Sequence, residues 1–320
     1  MLTQTLDQQY LAHTYNRFPL EIVGGKGSLL RGADGREYID LGSGIGVNIF
    51  GMDDDEWRDA VTAQLGRFQH VSNLYYSEPA AKLAQMLCER TGLKRVFFSN
   101  SGAESNECAI KAARKWAAEH KGSEYCSIIT LRGSFHGRTL ETVAATMQDR
   151  LQDEFRPLPG GFVACAPNDV EELRSVFEHH GEEICAVMLE PIQGESGVHP
   201  LTREFMEAAA ELVHGVGGLL IADEVQTGVF RSGKPFAYQV LGVEPDIMSL
   251  AKGIAGGVPA GASVAKKEVA DVYRPGDHGS TFGGSCLAVA AAEAVLCELV
   301  RGSYDGHAAE VGAYLQERLA

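Results

Sequence analysis

Two short apolar runs each lead into a residue with chemistry to offer. Gly218-Leu219-Leu220-Ile221-Ala222 delivers Asp223, followed by Glu224-Val225-Gln226-Thr227-Gly228, and Asp246-Ile247-Met248-Ser249-Leu250 is followed at once by Ala251 and Lys252. The first run reads as a buried parallel strand, which sets Asp223 at its carboxyl end, where open α/β sheets place ligand chemistry. A carboxylate there is costly unless it meets a cation. An amine held in such a site can lose its proton and form a Schiff base. A carboxylate for a pyridine nitrogen and a lysine for an aldehyde are the two groups that pyridoxal phosphate (PLP) requires. Taken singly, a strand ending in Asp-Glu is an ordinary cap or turn and a Lys before Gly an ordinary loop residue; the pair is what points to a cofactor.

Further segments agree with the pair. In order they are Asp34-Gly35-Arg36-Glu37-Tyr38-Ile39-Asp40, Ser72-Asn73-Leu74-Tyr75-Tyr76, Ser99-Asn100-Ser101-Gly102-Ala103-Glu104-Ser105-Asn106-Glu107, Ser134-Phe135-His136-Gly137-Arg138-Thr139, Glu190-Pro191-Ile192-Gln193-Gly194-Glu195 and Gly279-Ser280-Thr281-Phe282-Gly283-Gly284. With them the chain resembles the class III, fold-type I, PLP-dependent aminotransferases over nearly its whole length. Ser72 to Tyr76 and Phe135 to Thr139 are most similar to the acetylornithine branch of that family, which serves arginine biosynthesis.

The resemblance implies a role for each segment. Lys252 would bind the cofactor aldehyde and later carry a proton, and Asp223 would keep the ring nitrogen protonated. Ser101-Gly102-Ala103, after a strand and opening a helix, would bind the phosphate, since free N–H groups and the helix dipole favour a dianion there. Phe135 and Val225 would hold the two faces of the ring, Gln226 would donate to its phenolic oxygen, and Thr281 would reach the phosphate of the partner subunit. Arg138 would clamp a substrate carboxylate with two parallel hydrogen bonds; Ser280 would touch the same substrate from the neighbouring chain. Glu195 matches a glutamate that pairs with an arginine and switches its availability between two substrates. His136 is assigned a supporting place behind the contact residues.

The implied reaction is ping-pong transamination of N2-acetyl-L-ornithine with 2-oxoglutarate in a homodimer with shared active sites. Other donors stay open, namely ornithine, succinylornithine or 4-aminobutyrate, as do an aminomutase and an inactive PLP-binding or dimerising fragment. The chain departs from the family at Ala103, where Thr is usual, at Gly51-Met52-Asp53-Asp54-Asp55 in place of Gly-His-x-His-Pro, and at Ser285-Cys286 in place of Asn-Pro.

The remaining composition is that of an acidic soluble enzyme. The chain has 320 residues, 45% of them apolar, enough for one large α/β domain with additions. Its formal charge of −15 and the absence of a Lys/Arg cluster argue against nucleic acid or an anionic membrane as partner. Seven cysteines, an odd number with no CxxC pair, read as buried thiols of a reducing cytoplasm. No run reaches the ~20 apolar residues of a membrane span, and the amino terminus shows no targeting pattern. There is no Gly-x-Ser-x-Gly elbow, no Walker sequence and no His-Glu-x-x-His; His179-His180 beside Gly181 reads as a helix end, and no metal is expected.

The elements that must position these residues follow from local pattern. Candidate strands are Arg95 to Phe98, Cys126 to Leu131, Phe162 to Ala166, Ile184 to Leu189, Gly218 to Ala222, Ile247 to Leu250 and Gly261 to Ala265. Helical patterns at Glu78 to Arg90, Glu104 to His120, Val170 to His180 and Arg203 to Val213 lie between several of them. Alternation of this kind predicts an α/β fold, a mostly parallel seven-stranded sheet with helices on both faces. The expected division is an amino-terminal segment of the small domain over 1–50, containing a hairpin around Ala33 to Arg36, a large PLP-binding domain over 51–285, and connecting helices over 286–320. The last pattern, from His307, runs to Ala320 without a cap, so the sequence reads as truncated within a carboxyl-terminal small domain, with no arginine there for Glu195.

Overall fold

Runs that are apolar at every position, rather than at alternate ones, form strands buried on both faces, and this chain builds its centre from them. The computed structural model describes residues 2–320; Met1, the first residue of the expected amino-terminal segment, lies outside the described residues. Three strands, β1 (Ile22–Lys26), β2 (Leu29–Gly32) and β3 (Glu37–Ile39), form a small antiparallel sheet in the order β1-β2-β3. The expected hairpin is its β2–β3 half. The third strand is an addition, built on the Gly-rich Ile22-Val23-Gly24-Gly25-Lys26, which carries no alternation that would mark it in sequence.

The large sheet follows. Its strands are β4 (Arg95–Ser99), β5 (Ser127–Leu131), β6 (Phe162–Cys165) and β7 (Ile184–Leu189). A two-residue hairpin, β8 (Ile192–Gln193) with β9 (His199–Pro200), interrupts before β10 (Leu219–Asp223), β11 (Ile247–Leu250) and β12 (Gly261–Ala265). The order is β4-β12-β11-β10-β7-β5-β6. The β11–β10, β10–β7, β7–β5 and β5–β6 pairs are parallel, while β12 is antiparallel to both neighbours, so six of the seven strands point one way. The seven expected strands are these seven, within one residue at each end.

Successive side chains of a strand face opposite ways. In β7, Val187 and Leu189 join a core with Phe205, Met206 and Val213 of the Arg203–Gly215 helix, while Ala186 and Met188 join one with Ala109, Ile110 and Ala113 of the Gly102–His120 helix. Both faces are thus covered, as the unbroken apolar runs require. A third core gathers Leu83 and Leu87 of the Glu78–Thr91 helix with Val295, Leu296 and Leu299. The Cys286–Arg301 helix, expected as a connection, therefore packs into the interior beside the sheet. The last helix, Tyr304–Leu319, begins three residues before the expected His307 and buries none of its residues.

Candidate active site

Every expected site segment except Gly279-Gly284 follows the carboxyl end of one of the six co-directional strands. Ser101 to Ala103 follow β4, Phe135 to Arg138 follow β5, and Glu195 follows β7. Asp223, at the end of β10, leads into Val225 and Gln226, and Lys252 follows β11. Their loops enclose a cavity of about 610 Å³ lined by Ser101, Gly102, Ala103, Phe135, His136, Arg138, Glu195, Asp223, Val225, Gln226 and Lys252. Ten of the twelve residues expected to bind cofactor or substrate meet here.

Asp223 is 2% exposed, and its carboxylate is held by several donors. Oδ2 accepts from Asn106 Nδ2 at 2.7 Å and lies 2.8 Å from His136 Nδ1; Oδ1 accepts the Val225 N–H at 3.0 Å. A buried carboxylate with such partners stays in place where an isolated one would cost several kcal/mol. Burial alone would lower the His136 pKa, but the hydrogen bond it makes to Asp223, with the charges of Asp223 and Glu190, raises it above the ordinary histidine value. His136 is thus a direct partner of Asp223, and Asn106 is a second one to which the sequence pattern assigned no role.

Lys252 sits at the start of a short 3₁₀ turn, Lys252–Ala255, with φ of +47°. Non-glycine residues seldom adopt this left-handed region, and such strain concentrates where a side chain must be aimed. The lysine is half-buried. Burial brings its pKa below the usual lysine value, against the opposing pull of Asp223, Glu190 and Glu195, so a larger fraction of the amine is neutral and nucleophilic.

At another wall, Ser101 caps the Gly102–His120 helix by accepting the Glu104 N–H at 3.2 Å. The Gly102 and Ala103 N–H groups stand in the first turn, where no intrahelical acceptor exists. Gly102 also packs against the next wall: a Cβ built on it would lie 2.7 Å from Val225 Cγ1 and 3.0 Å from Cγ2. A side chain at 102 would therefore displace the residue expected to touch the ring.

Arg138 is exposed at the mouth, its Cζ 5.4 Å from the centre of the Phe135 ring. Glu195 also reaches the mouth and lies 3.7 Å from Arg150 Nη2, an exposed ion pair of small energetic weight. Tyr15 and Ile45, from the amino-terminal segment, line the same cavity and were not singled out in the sequence. Ser280 and Thr281 line a separate cavity of similar size with Asn100, Glu104, Lys111 and His278. Asn73 holds that segment by donating to Ser280 O at 3.3 Å and Gly283 O at 2.9 Å. Among the described residues, no group of three or more His, Cys, Asp or Glu could hold a metal ion, and no helix is long and apolar enough to cross a membrane.

The donor set suits PLP. The cavity lining includes a buried carboxylate, a partly desolvated lysine amine, an aromatic ring and a valine, and two N–H groups without intrahelical acceptors stand at a helix start.

Comparison with known proteins agrees. Residues 10–320 match the family described as aminotransferase class-III. The acetylornithine aminotransferase of Haemophilus ducreyi is 47% identical over 294 residues, which are 92% of this chain and 74% of that protein. The acetylornithine aminotransferase of Caldanaerobacter subterraneus subsp. tengcongensis is 44% identical over 315 residues, 98% of this chain and 79% of that protein. Among solved structures, the ornithine aminotransferase of Toxoplasma gondii, with PLP in partial occupancy at its active site, superposes with a TM-score of 0.94 at 32% identity, covering 99% of this chain and 75% of that one.

Proposed function

This chain belongs to the class-III aminotransferases, and from that membership we infer that it transaminates N2-acetyl-L-ornithine with 2-oxoglutarate, giving N-acetylglutamate 5-semialdehyde and glutamate. It is a PLP-dependent enzyme. The observation that carries the site assignment is that Lys252, Asp223, Phe135 and Val225 line one cavity whose far wall is the start of the Gly102–His120 helix.

Bound there, PLP supplies an aldehyde that takes up the donor amine and a pyridine ring that accepts the electron pair left when the adjacent C–H proton departs. The chain's residues do the rest. The Asp223 carboxylate would keep the ring nitrogen protonated, and the bonds of Oδ2 to His136 and Asn106 fix its orientation. The Gly102 and Ala103 N–H groups would hold the phosphate, which the family's usual Thr at position 103 would have supported further. Lys252, its pKa lowered by burial, gives up its proton more readily than an exposed lysine and so would serve as the proton carrier at Nζ. Arg138 binds the donor's carboxylate at the mouth. Glu195, which lines the same cavity, would be the charged group that distinguishes the two substrates.

We assign a homodimer. Leu74, Tyr75, Tyr76 and Phe282 are 88%, 72%, 106% and 62% exposed, a cluster too large and apolar for a free surface loop, and Asn73 joins it to Ser280. Ser280 and Thr281 line their own cavity rather than the one around Lys252, which suits service to a neighbour's site. A cytoplasmic location fits the seven unpaired cysteines, four of them buried.

The test is the visible absorption of the purified chain with PLP. A band that depends on Lys252 and bleaches with N-acetylornithine, more readily than with ornithine or 4-aminobutyrate, supports the assignment. Appreciable turnover by Lys252→Ala would overturn it.

A further inference from the structure

The Arg132–Arg138 segment carries Phe135, His136 and Arg138, yet it has no regular secondary structure. Side chains from elsewhere hold its backbone. Gln193 donates to Arg132 O at 3.1 Å, Gln148 to Ser134 O at 2.9 Å, and Asn106 to His136 O at 2.7 Å, while Thr146 accepts the His136 N–H at 2.8 Å. Backbone bonds fix the first three residues, from Arg132 N–H to Cys165 O, Gly133 N–H to Met147 O and Ser134 N–H to Leu131 O; at Phe135 the restraint is Glu190, whose Oε1 accepts the N–H at 2.8 Å. Of the five side chains, Glu190 alone is ionisable. It is 4% exposed, makes no ion pair, and lines the cavity with Lys252. Its second oxygen points toward the Gly194 N–H, 3.5 Å away, in the loop that carries Glu195.

A buried carboxyl oxygen needs a hydrogen-bond donor, and at Glu190 Oε1 that donor is the Phe135 N–H. Burial pushes Glu190 up to about 7, with His136 opposing and Asp223 adding to the rise. We infer that Glu190 is a positioning residue for cofactor binding, which fixes the Phe135 backbone so that the phenyl ring lies against the bound pyridine ring. The inference rests on the PLP site proposed above. Glu190 acts through Phe135, so its contribution disappears when the phenyl ring is absent.

The experiment strips PLP from the purified chain and measures the PLP dissociation constant by absorption titration for wild type, Glu190→Ala, Glu190→Gln, Phe135→Ala and the Glu190→Ala/Phe135→Ala double variant. Borohydride reduction of wild type, followed by mapping of the adduct to Lys252, first establishes the cofactor site; its absence would refute the site reading and not this inference alone. With the site established, Glu190→Ala should weaken PLP about ten-fold. Glu190→Gln, whose amide oxygen still accepts the Phe135 N–H, should stay within about two-fold, and Glu190→Ala should add nothing in the Phe135→Ala background. Should Glu190→Ala not fold, Glu190→Thr takes its place, being too short to reach the N–H. Wild-type affinity in Glu190→Ala, equal losses in the Ala and Gln variants, or full additivity with Phe135→Ala would each overturn the inference.

Discussion

Gly102→Ala tests the contact between two walls of the cofactor site. The backbone at Gly102 is not in the left-handed region, so alanine can adopt it, and at the start of a helix alanine would ordinarily stabilise by up to ~1 kcal/mol. Its methyl, however, would stand 2.7 Å from Val225 Cγ1, where carbon atoms settle at about 3.5 Å or more, so Val225 must retreat by about 0.8 Å. Val225 has no long flexible stem, and its N–H is tied to Asp223 Oδ1 at 3.0 Å, so the shift is transmitted toward the ring site and the carboxylate together. Overpacking of this kind costs ~1–3 kcal/mol. Expressed on PLP binding, that is a dissociation constant raised about 5- to 150-fold. Titration of PLP-free protein reads it directly. In a Val225→Ala background the obstructing methyls are gone; there Gly102→Ala should leave PLP affinity within about two-fold and raise the melting temperature. Equal losses in both backgrounds would refute the reasoning, because they would place the damage at the phosphate rather than at Val225.

Asp223→Asn should cost rate more than affinity: turnover is expected to fall about 100-fold or more, with PLP affinity changed less than ten-fold, and NMR should show the His136 pKa falling as its partner's charge is lost. Glu224, buried and accepting from Thr227 Oγ1, Ala237 N and Tyr238 N, is pushed up to about 7 by burial, so the folded chain holds an extra proton there between roughly pH 4.5 and 7. Its contribution to stability is fully present below that window and is lost as pH rises through it. Denaturant titrations from pH 5 to 8 should therefore show wild type losing stability relative to Glu224→Gln up to about pH 7 and running parallel above it; parallel curves throughout would count against a raised Glu224.

What the sequence made legible was local. Runs such as Ile184 to Leu189 and Leu219 to Ala222 are apolar at every position, and only a strand covered on both faces needs that. Once the strands are placed, their carboxyl ends mark where Asp223, Lys252 and Ser101 must come. The strand Ile22–Lys26 was hidden because two of its five residues are glycines, and the start of the Tyr304–Leu319 helix because Gly302 and Gly306 flank it with residues that read as loop. Neither miss reached the site.

What stayed hidden within the site was non-local. Asn106 and Glu190 are visible as letters, yet their roles arise from pairings with Asp223, 117 positions away, and with Phe135, 55 positions away. No local pattern reports such a meeting, since nothing about a helix residue or a post-strand acid specifies which loop it will hold. The distinction has a physical consequence. Asp223 and Lys252 stand at, or just past, the ends of paired, buried strands. Phe135 and His136 lie further along their loop, where hydrogen bonds with side chains of other elements hold the backbone at positions 134 to 136. Substrate and cofactor tolerance in this chain should therefore be altered more readily at Asn106, Gln148, Thr146, Gln193 and Glu190 than at equally buried residues of β10 or β11, because a backbone position held by one or two side-chain bonds moves when one is lost, whereas a central strand paired on both edges does not.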